Sequence, residues 1–146
     1  MSTVLITGAN KGIGLELVRI YAEKGNTVIA CCRNPADASA LNELADANDV
    51  RICEVAVGDA GSVASMAAEL KGVTIDLLLN NAGMGGPSPE NQSVLKMDFD
   101  GWAETMNVNT MAPVRVMHAL IENLRASENP QVVTITSQMG SLDLDM

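Results

Sequence analysis

The feature that most constrains the fold is the glycine-rich segment at residues 7–14, TGANKGIG, which stands between a short apolar run and an amphipathic one. The apolar run, residues 4–6, is predicted to end a buried strand, and the apolar residues that follow recur at helical spacing. The residues expected on the inward helical face are Ile13, Leu17, Ile20 and Tyr21. Glycines at 8, 12 and 14 permit a sharp turn and a close approach of phosphate to the backbone. The segment therefore predicts a phosphate-binding turn at a helix start, with a tight turn that binds nothing as the alternative.

The rest of the chain alternates strands with helices. Further strands are predicted at residues 27–32, 50–57, 75–79 and 132–136. Further helices are predicted at residues 37–47, 62–70 and 98–124. This alternation implies right-handed crossovers and an α/β, Rossmann-type, doubly wound parallel sheet with strand order 3-2-1-4-5. We expect residues 1–146 to form one domain.

Charge and composition exclude several classes of partner. The formal net charge of −9 argues against general attraction to nucleic acid or anionic lipid. No apolar run is long enough to cross a bilayer and no N-terminal signal core is present, so we predict a cytoplasmic protein without membrane contact. The cysteines lie in predicted strands and the single histidine, His118, has no clustered ligands, so no metal site is predicted.

Three further features fall at one edge of the predicted sheet. Residues 80–83, NNAG, end the fourth strand and lead into a loop, at the edge where open α/β sheets bind ligands. Pro113 has no N–H to donate to the carbonyl of Asn109, so a helix kink with one freed acceptor is expected. Ser137 follows the fifth strand. A packing bend at Pro113 and a turn-forming role for Ser137 are the alternatives.

Taken in order, these segments closely resemble the short-chain dehydrogenase/reductase family. Its signatures are a TGxxxGxG turn, an NNAG segment, a helical Asn, and a Ser followed by YxxxK. Within the family the chain looks most like the C-factor and carbonyl-reductase type, judged from ITGANKGIG, CCRNP, LLLNNAG, NVNTMAPVRV and ITSQMGSL. The resemblance implies an NAD(P)-binding Rossmann domain and an oxidoreductase that transfers a hydride between NADP(H) and a carbonyl or alcohol substrate.

The resemblance also implies particular roles for residues. Asn109 and Ser137 match the Asn and Ser of the catalytic tetrad, where the Ser would hydrogen-bond the reacting oxygen. The matches to the cofactor site are Gly8, Asn10, Lys11, Gly12, Ile13 and Gly14 in the turn, Val57 after the third strand, and Asn80, Ala82 and Gly83 beside the ribose. The family further implies a homo-oligomer, a dimer or tetramer paired through the long helix.

The second strand ends in Cys31-Cys32-Arg33, without the carboxylate that binds ribose hydroxyls in NAD-dependent folds. Arg33 offers planar donors suited to a 2′-phosphate, and Lys11 adds a second charge. This pattern predicts NADP(H) rather than NAD(H) as the cofactor.

The sequence departs from the family pattern at two places. Ala56 stands where the family commonly has an Asp that touches the adenine amino group, although Asp59 is close by. No Tyr-x-x-x-Lys follows Ser137, and the only tyrosine is Tyr21. We therefore expect residues 1–146 to be the N-terminal portion of a reductase, ending before that motif at Met146 and inactive alone. The alternative is a non-catalytic nucleotide-binding or C-factor-like signalling module.

Overall fold

The computed structural model describes residues 1–143, so the expected end at Met146 lies outside the described residues. The strands are β1 (Thr3–Thr7), β2 (Thr27–Cys32), β3 (Val50–Glu54), β4 (Leu77–Asn80), β5 (Gln92–Ser93), β6 (Lys96–Met97) and β7 (Gln131–Thr134). The helices are α1 (Gly12–Glu23), α2 (Ser39–Ala47), α3 (Ala60–Glu69), α4 (Phe99–Met106), α5 (Ala112–Ala119) and α6 (Ile121–Arg125). A π-helical turn, Asn107–Met111, joins α4 to α5.

The main sheet has the strand order β3-β2-β1-β4-β7, and every pair in it is parallel. The predicted order is confirmed, since β7 is the fifth strand predicted from the sequence. A small antiparallel hairpin of β5 and β6, which the sequence reasoning missed, lies between β4 and α4. The carboxyl ends of β1, β2 and β4 therefore meet at one edge, where the glycine-rich turn and the NNAG segment follow.

Helices cover both faces of the sheet at β1 to β4, and each of these strands contributes to both cores, whereas β7 is exposed along its length. One core contains Leu5, Ile29 and Cys31 beneath α3 and α5, and the other contains Ile6 and Cys32 beneath α1 and α2. The adjacent cysteines point to opposite faces because side chains alternate along a strand. None of the helices within residues 1–143 combines the length and apolar character needed to span a membrane.

The predicted inward face of α1 is wrong at Ile13, whereas Leu17 and Tyr21 pack against the core as predicted. Gly14, Val18 and Ala22 are buried, whereas Ile13 is 64% exposed. Gly14 must face the strand because its backbone packs on the glycine-rich turn, and the buried face then continues at intervals of four residues. The side chain of Ile13, in the first turn of α1, is consequently exposed.

Several element boundaries also differ from the prediction. β3 ends at Glu54 rather than residue 57, because the Ala56 N–H donates to Ser62 Oγ (2.9 Å) instead of to a strand. α3 begins at Ala60 because Asp59 caps it, accepting a hydrogen bond from the Ser62 N–H (2.6 Å). Capping thus occupies the carboxylate of Asp59, which had been considered for adenine.

The helical region predicted at residues 98–124 is not continuous. It begins as expected, with Asp98 as the N-cap of α4 accepting from the Gly101 N–H (2.9 Å). It is then interrupted by the π-helical turn and again at Leu120, which lies outside helical geometry at φ −101° and ψ 14°. The first interruption carries the Asn predicted for catalysis.

Candidate active site

The turn after β1 needs glycine for two separate reasons. Gly8 has φ +66° and Gly12 has φ +55°, in the left-handed region that disfavours a Cβ atom. A Cβ on Gly8 would also lie 2.8 Å from the Ala82 Cα. Gly14 has no positive φ, but a Cβ there would overlap the Gly8 carbonyl oxygen and come within 2.5 Å of Asn81 Nδ2. The turn is therefore packed against the segment that follows β4.

Thr7 and Asn81 join these two segments by four hydrogen bonds. Thr7 Oγ1 accepts from the N–H groups of Asn81 and Ala82, both at 3.0 Å. The Asn81 Nδ2 group donates to the carbonyls of Thr7 (3.0 Å) and Gly8 (3.1 Å). The sequence reasoning named the neighbours Asn80, Ala82 and Gly83 for this segment. It did not assign Asn81, whose partners lie more than 70 positions away in the chain.

The start of α1 has free backbone donors. Lys11 occupies the N-cap position, and its side chain makes no capping hydrogen bond. By contrast, α3 and α4 each have an Asp side chain at this position. Asn10, Lys11, Gly12 and Ile13 are all exposed. The exposed N–H groups and the helix dipole can bind an anion such as a pyrophosphate.

Arg33 lies at the end of the strand next to this turn. The Ala9 N–H donates to the Cys31 carbonyl (3.0 Å), so the turn and the end of β2 are in direct contact. Arg33 is exposed and makes no hydrogen bond or ion pair among residues 1–143. The other arginines are engaged: Arg19, Arg51 and Arg125 with carboxylates and Arg115 with oxygen atoms of neutral groups. Arg33 is therefore the arginine available for a ligand in the described part of the chain.

Asn109 holds the loop after β4 through both ends of its amide. Its Oδ1 accepts from the Met84 N–H (2.9 Å), and its Nδ2 donates to the Met84 carbonyl (2.8 Å). A Cβ on Gly83 would lie 3.5 Å from Asn109 Oδ1, so the NNAG segment and Asn109 are close together. Around Asn109 the Ala112 N–H donates to the carbonyl of Asn107, five residues earlier. The predicted disturbance before Pro113 is thus a π-helical turn, in which Pro113 leaves the Asn109 carbonyl without its usual donor.

Ser137 lies at the same edge of the sheet, three residues beyond β7. The Ile135 N–H donates to the Asn80 carbonyl (2.9 Å), which anchors this part of the chain. Ser137 Oγ accepts from the Met139 N–H (3.1 Å) and starts a short 3-10 turn. Its hydroxyl proton remains able to donate to a ligand oxygen. No hydrogen bond within residues 1–143 joins Ser137 to Asn109.

Val57 is buried, and its side chain belongs to the core rather than to an open surface. It lies in a narrow crevice together with residues of β1, of the segment at the end of β4 and of α5. The lining residues are Thr7, Val57, Asn80, Ala82, Ala112, Pro113 and Val116. Its carbonyl accepts a hydrogen bond from Arg115 (2.8 Å), a residue that the sequence reasoning did not consider.

A cavity of about 560 Å³ lies at the opposite, amino-terminal edge of the sheet. Of its two carboxylates, Asp76 and Glu128, the first is already engaged by the Ser127 hydroxyl (2.6 Å) and the Thr3 N–H (2.7 Å). These two hydrogen bonds lower the pKa of the Asp76 carboxyl from its usual value. Because the glycine-rich turn, Lys11 and Arg33 all lie at the carboxyl edge, we place the candidate site there instead.

Comparisons with known proteins identify the family of the chain. The short chain dehydrogenase family model matches residues 2–145. The chain is 32% identical to the NADPH-dependent pterin aldehyde reductase of Arabidopsis thaliana, covering 94% of this chain and 57% of the relative. Its structure is similar to a carbonyl reductase from Pseudomonas aeruginosa PAO1 in complex with NADP, with TM-score 0.86 and 31% identity, covering 97% of this chain and 64% of that one.

The NADPH-bound carbonyl reductase from chicken fatty liver is similar to the same extent. The TM-score is 0.87 and the identity 30%, and the match covers 97% of this chain and 62% of that one. The chain thus spans less than two thirds of the length of each of these proteins.

Proposed function

The chain belongs to the short-chain dehydrogenase family, and from this premise we propose that it is the NADP(H)-binding part of an oxidoreductase acting on a small carbonyl or alcohol. Residues 1–146 would form its NAD(P)-binding domain. The observation that carries the proposal is the uncapped start of α1 beside a glycine turn that Thr7 and Asn81 hold in place. The similar proteins from Pseudomonas aeruginosa and chicken fatty liver are bound to NADP and NADPH. The signalling alternative has no observation in its favour.

The residues at the carboxyl edge fit a dinucleotide. A Cβ on Gly12 would meet nothing within 4 Å, so the turn is open there and a pyrophosphate can approach the backbone N–H groups of residues 12–14. Gly8 and Gly14 instead allow the turn to pack on the segment after β4. Val57 borders the adenine side, while Asn80, Ala82 and Gly83 border the ribose on the nicotinamide side. NADPH, when bound, supplies the hydride. The protein's own contribution is to hold the cofactor and to orient the reacting oxygen.

Arg33 is proposed to select NADP(H) over NAD(H). Its guanidinium is exposed, lacks a carboxylate partner among residues 1–143, and follows the strand that touches the glycine turn. Lys11 and Asn10 offer further donors nearby in the same turn. A charge-assisted bond to a 2′-phosphate contributes about 1.5–3 kcal/mol, or about 10- to 100-fold in affinity.

The experiment measures dissociation constants for NADPH and NADH by fluorescence titration. Arg33→Ala should weaken NADPH binding about 10-fold or more and change NADH binding less than about twofold. Arg125→Ala is the matched control, since Arg125 is exposed and, among residues 1–143, its side chain bonds only to Glu122. Equal affinities of the parent chain for NADPH and NADH would contradict the proposed preference.

Ser137 and Asn109 are proposed as the substrate side of the site. The Ser137 hydroxyl donates to the substrate oxygen and polarises it, while Asn109 fixes the Met84 loop and its freed carbonyl accepts from a water. Reduction of a carbonyl also needs a proton donor, which typically contributes about 10²–10⁴-fold. Tyr21 packs against the core on the α1 side and therefore cannot be this proton donor. Residues 1–146 alone should therefore bind NADPH without oxidising it in the presence of aldehydes or ketones.

Self-association is a further proposal. Apolar side chains with large exposed fractions follow one another along α4 and α5: Phe99, Trp102, Met106 and Val114. A patch of this kind marks an interaction surface more often than solvent-facing structure. We propose that it pairs with a second copy in a dimer or tetramer. Trp102→Glu should lower the mass measured by light scattering, and an unchanged mass would contradict the proposal.

The cytoplasmic location expected from the sequence stays a prediction.

A further inference from the structure

Arg115 on α5 is a half-buried cation whose partners are uncharged. Its Nη1 donates to the Val57 carbonyl (2.8 Å) and its Nη2 donates to Asn107 Oδ1 (2.8 Å). It forms no ion pair within residues 1–143, unlike the paired surface arginine Arg125. A cation removed from water without a carboxylate partner costs free energy, so its hydrogen bonds must serve some other purpose than charge neutralisation.

Asn107 extends this contact to the next residue of the same segment. While its Oδ1 accepts from Arg115, its Nδ2 donates to the Gly58 carbonyl (2.8 Å). The packing there is close, because a Cβ on Gly58 would lie 3.0 Å from Asn107 Nδ2 and 3.1 Å from Val108 Cγ2. Two consecutive carbonyls, those of Val57 and Gly58, are therefore held by side chains 58 and 49 positions further along the chain.

No strand holds this segment, so these bonds fix its backbone together with the buried side chain of Val57. β3 ends at Glu54, and the Ala56 N–H is taken by Ser62 Oγ. Residues 57–58 then cross the carboxyl edge on the way to the N-cap of α3. Their anchor, Asn107, begins the same π-helical turn that carries Asn109. One turn thus fixes both the segment after β3 and the loop after β4.

We propose that Arg115 is a positioning residue, which acts with Asn107 to set the adenine-side wall of the cofactor site at Val57 and Gly58. This inference rests on the proposed function. The residue at position 56 supports the inference. Because Ala56 has no carboxylate to bind the adenine, the position of the backbone at Val57 and Gly58 determines how well the adenine is held. Arg115 itself does not touch the cofactor.

The test compares NADPH with adenosine 2′,5′-bisphosphate, which carries only the adenine half. Arg115→Met, with Arg125→Met as the matched control, is titrated with both ligands. We expect both dissociation constants to rise by the same factor, about 10-fold, with the control within about twofold of the parent. A merely structural role would loosen the whole site and weaken NADPH more than the bisphosphate, which would overturn the inference.

Two further measurements keep the result decisive. Asn107→Ser does not change the net charge and serves as a second variant in case Arg115→Met folds poorly. It should weaken the binding of both ligands by one common factor, smaller than that of Arg115→Met. Arg115→Lys should restore part of the affinity because it retains one donor. If the parent chain binds neither ligand, the proposed function fails and the inference with it. If the parent binds both and folded Arg115→Met binds them equally well, only the inference fails.

Discussion

The turn after β1 and the segment after β7 lie at the same edge of the sheet but are held in different ways. Thr7 is 1% exposed and bonds to residues 74 and 75 positions away. Ser137 is exposed, and its side chain bonds to a residue two positions away. The first region is fixed by long-range contacts between strands, whereas the second takes its shape from a local turn.

This difference separates two requirements of a dinucleotide enzyme. A phosphate-binding turn must be rigid before the ligand arrives, because ordering a loop on binding costs free energy. A hydroxyl that meets the substrate needs an unobstructed donor, and Ser137 has one. We therefore expect substitutions in the first region to affect stability and cofactor affinity together, and those at Ser137 to affect neither.

Gly14→Ala should have the largest effect. The added methyl would overlap the Gly8 carbonyl oxygen, which is backbone and cannot move aside without displacing the turn. Overpacking of this kind costs about 1–3 kcal/mol and sometimes more, and we expect about 100-fold weaker NADPH binding, measured by titration beside urea unfolding. Gly85→Ala is the control, since nothing lies within 4 Å of a Cβ there. Unchanged affinity in Gly14→Ala would show that the turn tolerates movement.

Thr7→Val should come next. The substitution keeps the shape of the side chain but leaves the N–H groups of Asn81 and Ala82 without their acceptor. Each unsatisfied buried group costs about 1–3 kcal/mol, so the free energy of unfolding should fall by about 2 kcal/mol or more. Thr110→Val, on an exposed threonine, should change it by less than about 0.5 kcal/mol. Equal losses in the free energy of unfolding of the two variants would contradict the role of Thr7 in holding the segment after β4.

The same contrast explains what the sequence could predict. The strands were found because their apolar runs are local signals: β2 was placed at its observed bounds, and the order of the sheet followed from the alternation of elements. Motif spacing likewise located the glycine-rich turn before α1 and the helix interruption that carries Asn109, whose catalytic role stays a prediction. The prediction at Ile13 was wrong because periodicity alone cannot show that Gly14 packs on the turn.

The residues that were missed have partners far away in sequence. Asn81 bonds to Thr7 and Gly8, and Arg115 bonds to Val57. A single sequence gives no signal for such pairs, since neither member has an unusual local context.

Asn109→Ala tests a third region, the loop after β4, which Asn109 holds through its hydrogen bonds to Met84. The Met84 N–H would lose the acceptor that Asn109 Oδ1 provides, so its amide hydrogen should exchange faster, by about fivefold for a bond of about 1 kcal/mol. Native-state hydrogen exchange measures this directly. Asn91→Ala, in the same loop but bonded to Ser88, should leave Met84 exchange unchanged. If both variants accelerate Met84 equally, the loop is not held by Asn109.

Ser137→Ala should have the smallest effect on this chain. The hydroxyl accepts one N–H within its own turn and is exposed, so water can replace it and the free energy of unfolding should change by less than about 0.5 kcal/mol. NADPH affinity should stay within about twofold of the parent, because the proposed partner of the hydroxyl is the substrate oxygen. Ser141→Ala, a similar local acceptor for the Asp143 N–H, is the control. A loss of stability or cofactor affinity in Ser137→Ala alone would place Ser137 with the rigid turn and remove the distinction between the two regions.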